Sequence, residues 1–279
     1  MKQSILALIL IMLTCCVSAQ ERITIDTIKS IFYYDYNFQQ DSTDSGSEVY
    51  QEMVLQVGTN HSKFISVNAL LTDSLLFTVK DLEAGVGFSK VWPQMNGLRE
   101  NILCKYVVYK DYPQKRNSQF VGKLGAKTTI MVNEQINFNW QLEQVRDTSI
   151  LGYTCQKATC SFGGRNYEAW YTIEIPISDG PYKFEGLPGL IVRVADVEKE
   201  HIFQLYGVKN YSKDMTPMYG KAQKLQTTTA QGFAKAVKVY LADLYRKYGG
   251  NPDISYSNPD GESKTLRNIR SKNNFIERY

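Results

Sequence analysis

Apolar and polar residues alternate with a period of two along most of the chain, which predicts strands with one buried face. Ile130, Val132, Ile136, Phe138, Trp140 and Leu142 all fall at even positions, with Asn133, Asn137 and Asn139 between them. They predict a strand or a strand pair. Met53, Leu55 and Val57 alternate in the same way, and Phe64 follows a turn at Gly58-Thr59-Asn60. Ile102 to Lys110 is a further β-rich run. Leu190–Val194 and Ile202–Tyr206 flank the charged connector Asp196–Glu200 and predict a hairpin.

The clearest hairpin joins Gly152–Phe162 to Arg165–Ile175 through Gly163-Gly164, because glycine accepts the positive φ that a two-residue turn requires. That turn sets a register: Cys160 opposite Tyr167, Ala158 opposite Ala169, Lys157 opposite Trp170 and Gln156 opposite Tyr171. Phe162, Cys160, Ala158, Tyr167, Ala169, Tyr171 and Ile173 then form the core face. Strand neighbours alternate faces, so Cys155 and Cys160 point opposite ways unless a bulge intervenes.

One segment breaks the period. Phe233, Ala236, Val237, Tyr240, Leu241, Leu244 and Tyr248 recur at spacings of three and four, with Thr229 to cap the start and Gly249-Gly250 to end it. This is an amphipathic helix near 229–248. The tail from Asn251 is rich in Asn, Ser and charge and reads as loosely held. The fold class expected is mainly β: residues 20–250 as a single curved antiparallel sheet or open half-barrel with one long C-terminal helix packed on it, and 251–279 as a tail.

Composition narrows the picture. At 279 residues, 43% hydrophobic and 22% charged, the chain has the means for a full core. A formal charge of +4, scattered along the sequence, does not signal nucleic acid. Residues 1–19 carry Lys2, an apolar run from Ile5 to Leu13 and small residues at Val17-Ser18-Ala19, which predicts a cleaved secretory signal. That run is too short to span a bilayer, which needs about 20 apolar residues, and no later stretch is long enough. The mature chain therefore has no transmembrane segment. It keeps Cys104, Cys155 and Cys160, which in an oxidising compartment allow one disulfide and one leftover thiol. Cys104 with either of the others is favoured, and the choice between them stays open.

The one distinctive stretch runs from Pro176 to Gly189. Ser178-Asp179-Gly180-Pro181 is a turn, and Leu187-Pro188-Gly189-Leu190 reads as a type II turn with Gly189 at positive φ. Gly186-Leu187-Pro188-Gly189-Leu190-Ile191 spells GLPGLI, and the chain resembles the GLPGLI family of exported envelope proteins. Gly152-Tyr153, Cys155–Ala158, Gly164-Arg165, Ala169–Thr172, Ile175-Pro176, Gly180–Phe184 and Asp196 fit that resemblance. Near the end, Asn273–Glu277 approximates the closing motif, with Phe275 where the family usually has proline. The resemblance implies an exported protein, in the periplasm or on the periplasmic face of the outer membrane of a Gram-negative cell, whose relatives are found beside outer-membrane transport systems. It supplies no catalytic residues. The string of strands plus a helix also resembles the open half-barrels of periplasmic lipoprotein carriers, in architecture only.

Catalytic signatures are lacking. His61 and His201 are the two histidines, and there is no HExxH, paired CxxC, GxSxG or glycine-rich phosphate loop, so neither metal nor cofactor is expected. Glu168 and Glu174 share a strand face but lie near 20 Å apart at ~3.3 Å per residue, too far to act as a glycosidase pair. The aromatic surface is the remaining candidate: Trp170, Tyr171 and Phe184 are expected to meet the turn formed by Gly186, Leu187, Pro188 and Gly189 and to line an apolar groove. The function expected is a non-enzymatic accessory or binding module near outer-membrane transport, with a transporter or other envelope protein as partner. The alternatives are a carrier of an apolar small molecule or lipid in that groove, and a hydrolase with an unrecognised site.

Overall fold

A computed structural model describes residues 24–78, 86–111, 118–125, 128–217, 225–249 and 263–278. The expected signal, 1–19, and residues 251–262 of the tail lie outside these. Twelve strands are named in chain order: β1 Asp26–Gln39, β2 Glu48–Val57, β3 Ser62–Ser66, β4 Tyr106–Lys110, β5 Ser118–Leu124, β6 Thr128–Glu134, β7 Gln141–Ile150, β8 Tyr153–Phe162, β9 Arg165–Thr172, β10 Leu190–Asp196, β11 His201–Met215 and β12 Gln226–Thr228. They form one open sheet in the order β12-β6-β5-β4-β3-β2-β1-β11-β10-β9-β8-β7. All neighbours are antiparallel except β12, which runs parallel to β6.

The chain thus starts mid-sheet, steps outward from β1 to β6, then jumps to the opposite edge and returns from β7 to β11. The jump uses only residues 135–140. Ten strand spacings of ~4.8 Å separate β6 from β7 along the sheet, about 48 Å. Seven Cα steps reach at most about 25 Å. The sheet must therefore curl, bringing its two ends together without joining them. The even-numbered run of apolar residues from 130 to 142 is accordingly not one strand or pair. Ile130 and Val132 are buried in β6, Phe138 is buried in an extended linker, and Leu142 lies exposed on β7.

Alternation places neighbouring residues on opposite faces, and in the middle of the sheet both faces are covered. Phe32, Tyr34, Met53, Leu55, Phe64, Val108 and Phe120 join the large aromatic core. Ile31, Val54, Ile65, Val107 and Val121 join a second cluster with Ala69 of the helix Val67–Thr78. That helix and the next, Val86–Glu100, have no counterpart in the period-two reading.

A helix covers Ala230–Lys247, capped by Thr229 Oγ1, which accepts from Gly232 N at 3.1 Å. It meets the sheet near its start, where Phe233 sits edge-on to Phe120 at 5.0 Å. Further along, Tyr245 packs with Leu266 and Ile269 of the short helix Lys264–Arg270. The expectation of one helix laid along the sheet is thereby corrected: several helices are present, and this one has only Ala230 and Tyr245 buried.

The hairpin of β8 and β9 has the register its turn requires, with Cys160 opposite Tyr167 and Gln156 opposite Tyr171. Gly163 and Gly164 both take positive φ, 55° and 73°. Ile173, expected in the core, is exposed because β9 ends at Thr172. Cys155 is buried together with Ala158 and Cys160, so alternation breaks within β8 and all three enter the same core.

Among the described residues no disulfide forms: Cys104, Cys155 and Cys160 are buried thiols. Six strands lie between β4, which Cys104 precedes, and β8. Burial pushes the Cys104 and Cys160 thiols up to about 12, so both stay protonated.

Candidate functional site

Polar groups converge where the Gly163-Gly164 turn, the 197–200 turn, the 176–189 crossover and the end of the chain meet. Arg165, first residue of β9, turns its guanidinium inward. It donates to Asp196 Oδ2 at 2.6 Å, Glu200 Oε2 at 2.7 Å, the carbonyl of Phe275 at 2.9 Å and Asn274 Oδ1. Asp196 closes β10 and also accepts from His201 N at 2.7 Å, which fixes the turn between β10 and β11. Burial raises the Asp196 carboxyl above its usual range against the pull of Arg165. Burial works on Glu200 in the same direction, but Arg165, Asn274 and Arg278 outweigh it and hold that carboxyl low. His201 Nδ1 lies 2.7 Å from the Tyr36 hydroxyl. Burial, with the charges of Arg165 and Arg278, pushes the imidazole down to about 3, so it is neutral at ordinary pH.

The C-terminal segment threads through this cluster. Asn274 Nδ2 donates to the Gln39 carbonyl, Tyr167 to the Ile276 carbonyl at 2.8 Å, and Arg278 N to the Gly163 carbonyl at 2.6 Å. The glycines of the turn serve this contact too: a Cβ on Gly164 would lie 2.4 Å from the Arg278 carbonyl oxygen. The tail expected to be loosely held is, over 273–278, pinned to the sheet by side chains far away in sequence.

The crossover is equally braced. The Lys183 ammonium pairs with Glu134 and, at 2.7 Å, with Glu277, while the rings of Phe120, Tyr182 and Phe162 lie 5.3–5.8 Å from it. The Glu134 contact ties β6 to the crossover and supports the curl of the sheet. Lys110, last residue of β4, reaches Asp179 Oδ1 at 2.5 Å and the carbonyls of Gly180 and Phe184 at 2.7 and 3.3 Å.

The expected turn is corrected in detail. Positive φ belongs to Gly186, at 95°, beside Trp140, and not to Gly189. Gly189 is required by proximity: a Cβ there would meet the Thr172 carbonyl oxygen at 2.0 Å. Leu187 is buried, as are Leu190 and Ile191, so the hexapeptide is a wall of the core. Pro188 lies in the bend between them.

The expected aromatic groove is filled. Phe184 has no exposed surface and is ringed by Tyr167, Phe138, Phe162, Trp140 and Tyr182 at centroid distances of 4.7–6.3 Å. Tyr171 is buried with its hydroxyl on Gln156 Oε1. Trp170 is half-buried and packs against the same core. None of the three lines either of two clefts among the described residues. One, of about 350 Å³, is polar and lies against the tail, bordered by Ser42, Glu200, Lys238, Asn273, Phe275 and Arg278. The other, of about 250 Å³, lies between β1, β11 and the helix Val67–Thr78.

His201 meets Tyr36, and the His61 ring nitrogens stand 3.7 Å from Asp26 and 3.9 Å from Asp111, beyond hydrogen-bond distance. Among the described residues no group of three or more His, Cys, Asp or Glu is placed to hold a metal ion. No described helix is long and apolar enough to cross a membrane.

Sequence reasoning missed Arg165, Asp196, Lys110 and Lys183 as a set. For Lys110, Arg165 and Asp196 the available signal was a charged residue at the end of a strand.

Fold and site together define a β-sheet protein whose sheet, crossover and C-terminal segment are locked by buried charges. A family model described as "Protein of unknown function (Porph_ging)" matches residues 162–193, which include the hexapeptide. The likeness to the GLPGLI envelope proteins is therefore shown over that segment. No curated protein matches the chain. Two solved structures of PNGF-II, in the P21 and C2 space groups, share the fold: each is 11% identical over 77% of this chain, with a TM-score of 0.50. This chain spans about a third of their length, 34% and 33%.

Proposed function

We propose that the protein is a non-enzymatic module of the cell envelope, exported to the periplasm or the periplasmic face of the outer membrane, that binds a protein partner next to an outer-membrane transporter. The observation that carries this reading is the filled interior. With Phe184 enclosed by five rings, the hollow that a carrier of lipid or another apolar ligand needs is occupied by the protein's own side chains. What is left for recognition is surface. Strand β7 ends the sheet, and an edge strand offers backbone donors and acceptors to an incoming strand. Leu142 and Leu151 stand 60% and 53% exposed on and beside it.

A photo-reactive amino acid in place of Leu142 or Leu151 tests this in the living cell. The expected product is a covalent adduct with one envelope protein, lost when the same amino acid replaces exposed Val239 on the helix Ala230–Lys247. Stoichiometric lipid in solvent extracts of the purified protein, with no adduct from β7, would favour the carrier instead.

A further inference from the structure

We propose that Lys110 and Asp179 become joined by an amide bond between their side chains once the chain has folded. Lys110 Nζ lies 2.5 Å from Asp179 Oδ1, and both side chains are 0% exposed. Two charges held this far from water carry a large desolvation penalty. Condensation requires one proton to pass across the contact, which leaves a neutral amine beside a neutral acid. That pair is the reactant state for condensation, held in a fixed geometry, and such positioning is worth effective molarities of about 10⁵–10⁸ M.

The surroundings supply the remaining parts. Gly180 N donates to the same oxygen, Asp179 Oδ1, at 2.7 Å, and so holds the negative charge that develops there as nitrogen adds to the carboxyl carbon. Glu185 is buried, and its backbone pairs with that of Asp179 across an isolated bridge. Side chains of paired residues have Cβ atoms roughly 5 Å apart, close enough for the Glu185 carboxyl to carry protons from the amine to the departing oxygen.

The reaction balances within the protein. The Nζ lone pair forms the bond to Cγ, the Cγ–Oδ2 bond breaks, and Oδ2 leaves as water with two protons from the original ammonium. No electrons are gained or lost, and no co-reactant is needed. The amide keeps one N–H, which serves the Gly180 carbonyl that Lys110 already contacts at 2.7 Å. Lys183 is the comparison within the same molecule. Its ammonium is shared between two carboxylates, Glu134 and Glu277, which keep 19% and 9% exposure, so no condensation is expected there.

The test is mass spectrometry of the purified wild-type chain, denatured and digested with trypsin. The expected result is peptide Tyr106–Lys115 joined to Asn166–Lys183, the pair lighter than its parts by one water, with no cleavage after Lys110 and normal cleavage after Lys183. Asp179→Asn is expected to give the same linked pair with loss of ammonia, and Lys110→Arg to give none. Separate peptides with cleavage after Lys110 overturn the proposal. So does loss of water confined to the Asn166–Lys183 peptide, which marks a cyclic imide at Asp179-Gly180. The wild-type digest decides alone, so a variant that fails to fold does not shelter the idea.

Discussion

Gly189 and Gly152 are both glycines at a strand end, yet they answer to different constraints. Gly189 faces the backbone of Thr172, with no flexible side chain to give way, and a methyl group there would overlap the carbonyl oxygen. Gly152 has open space but φ of +84°. Gly189→Ala should destabilise the protein by about 3 kcal/mol or more through overpacking against rigid backbone. Gly152→Ala should cost only about 1 kcal/mol of left-handed strain. Paired urea midpoints check the order; equal losses would remove proximity as the reason for Gly189. His201 gives a pH prediction of definite sign. Its imidazole titrates near 6.5 when unfolded and near 3 when folded, so between those values the unfolded chain binds more protons. Stability is whole above pH 6.5 and falls as the pH drops, by about 1.4 kcal/mol per unit. From pH 6.5 to 5, above the range of ordinary carboxylates, His201→Gln should flatten the stability curve relative to wild type. An unchanged slope would mean that this ring is not held neutral.

Among the elements, the β8–β9 hairpin and the C-terminal segment act as one unit. Arg165 is buried, and Asn274 and the Phe275 carbonyl satisfy part of its fork. Ending the chain at Lys272 should therefore leave a buried charge partly unpaired, at a loss of about 3 kcal/mol, or roughly 6–12 °C in melting temperature. A truncated chain that melts with the full-length one would show the segment to be an ornament. The hairpin itself was legible in the sequence because a two-glycine turn and strict alternation determine register locally. The tail was not, since its partners Gln39, Gly163 and Arg165 lie more than a hundred residues away and its composition is that of a loop. The same contrast explains the GLPGLI stretch. Its rigidity was legible from proline and glycine, but which glycine needed positive φ depended on Trp140 and Thr172, which only the folded sheet brings close. The helices Val67–Thr78 and Val86–Glu100 escaped for a further reason: the first scatters Asn68, Thr72, Asp73 and Ser74 among its apolar positions and the second contains Pro93, so neither shows a clean period of 3.6.

At the scale of the molecule, the order of strands dictates where the sheet can open. β1 pairs along its length with β2 on one side and β11 on the other, and its Phe32, Tyr34 and Tyr36 stand in the large core. β12 is three residues long and pairs only with β6. In a flat sheet, both ends would fray alike. Here the curl ties β6 back to the crossover through Lys183 and Glu134, and the linker after β6 is anchored by Trp140 Nε1 on the Glu185 carbonyl at 2.8 Å. Opening at β6 must then break buried contacts with the far half of the sheet. Native-state hydrogen exchange should show the amides of Phe32–Tyr36 exchanging only on global unfolding, and those of Gln226–Thr228 through small local openings. The distinctive expectation is β6: although it lies one strand from the edge, Ile130 and Val132 should exchange nearly as slowly as β1. Lys183→Met should release β6, and not β1, to faster exchange. If β6 in the wild type exchanges as fast as β12, the two ends of the sheet are not braced against each other, and the short 135–140 connection is a tether without a clasp.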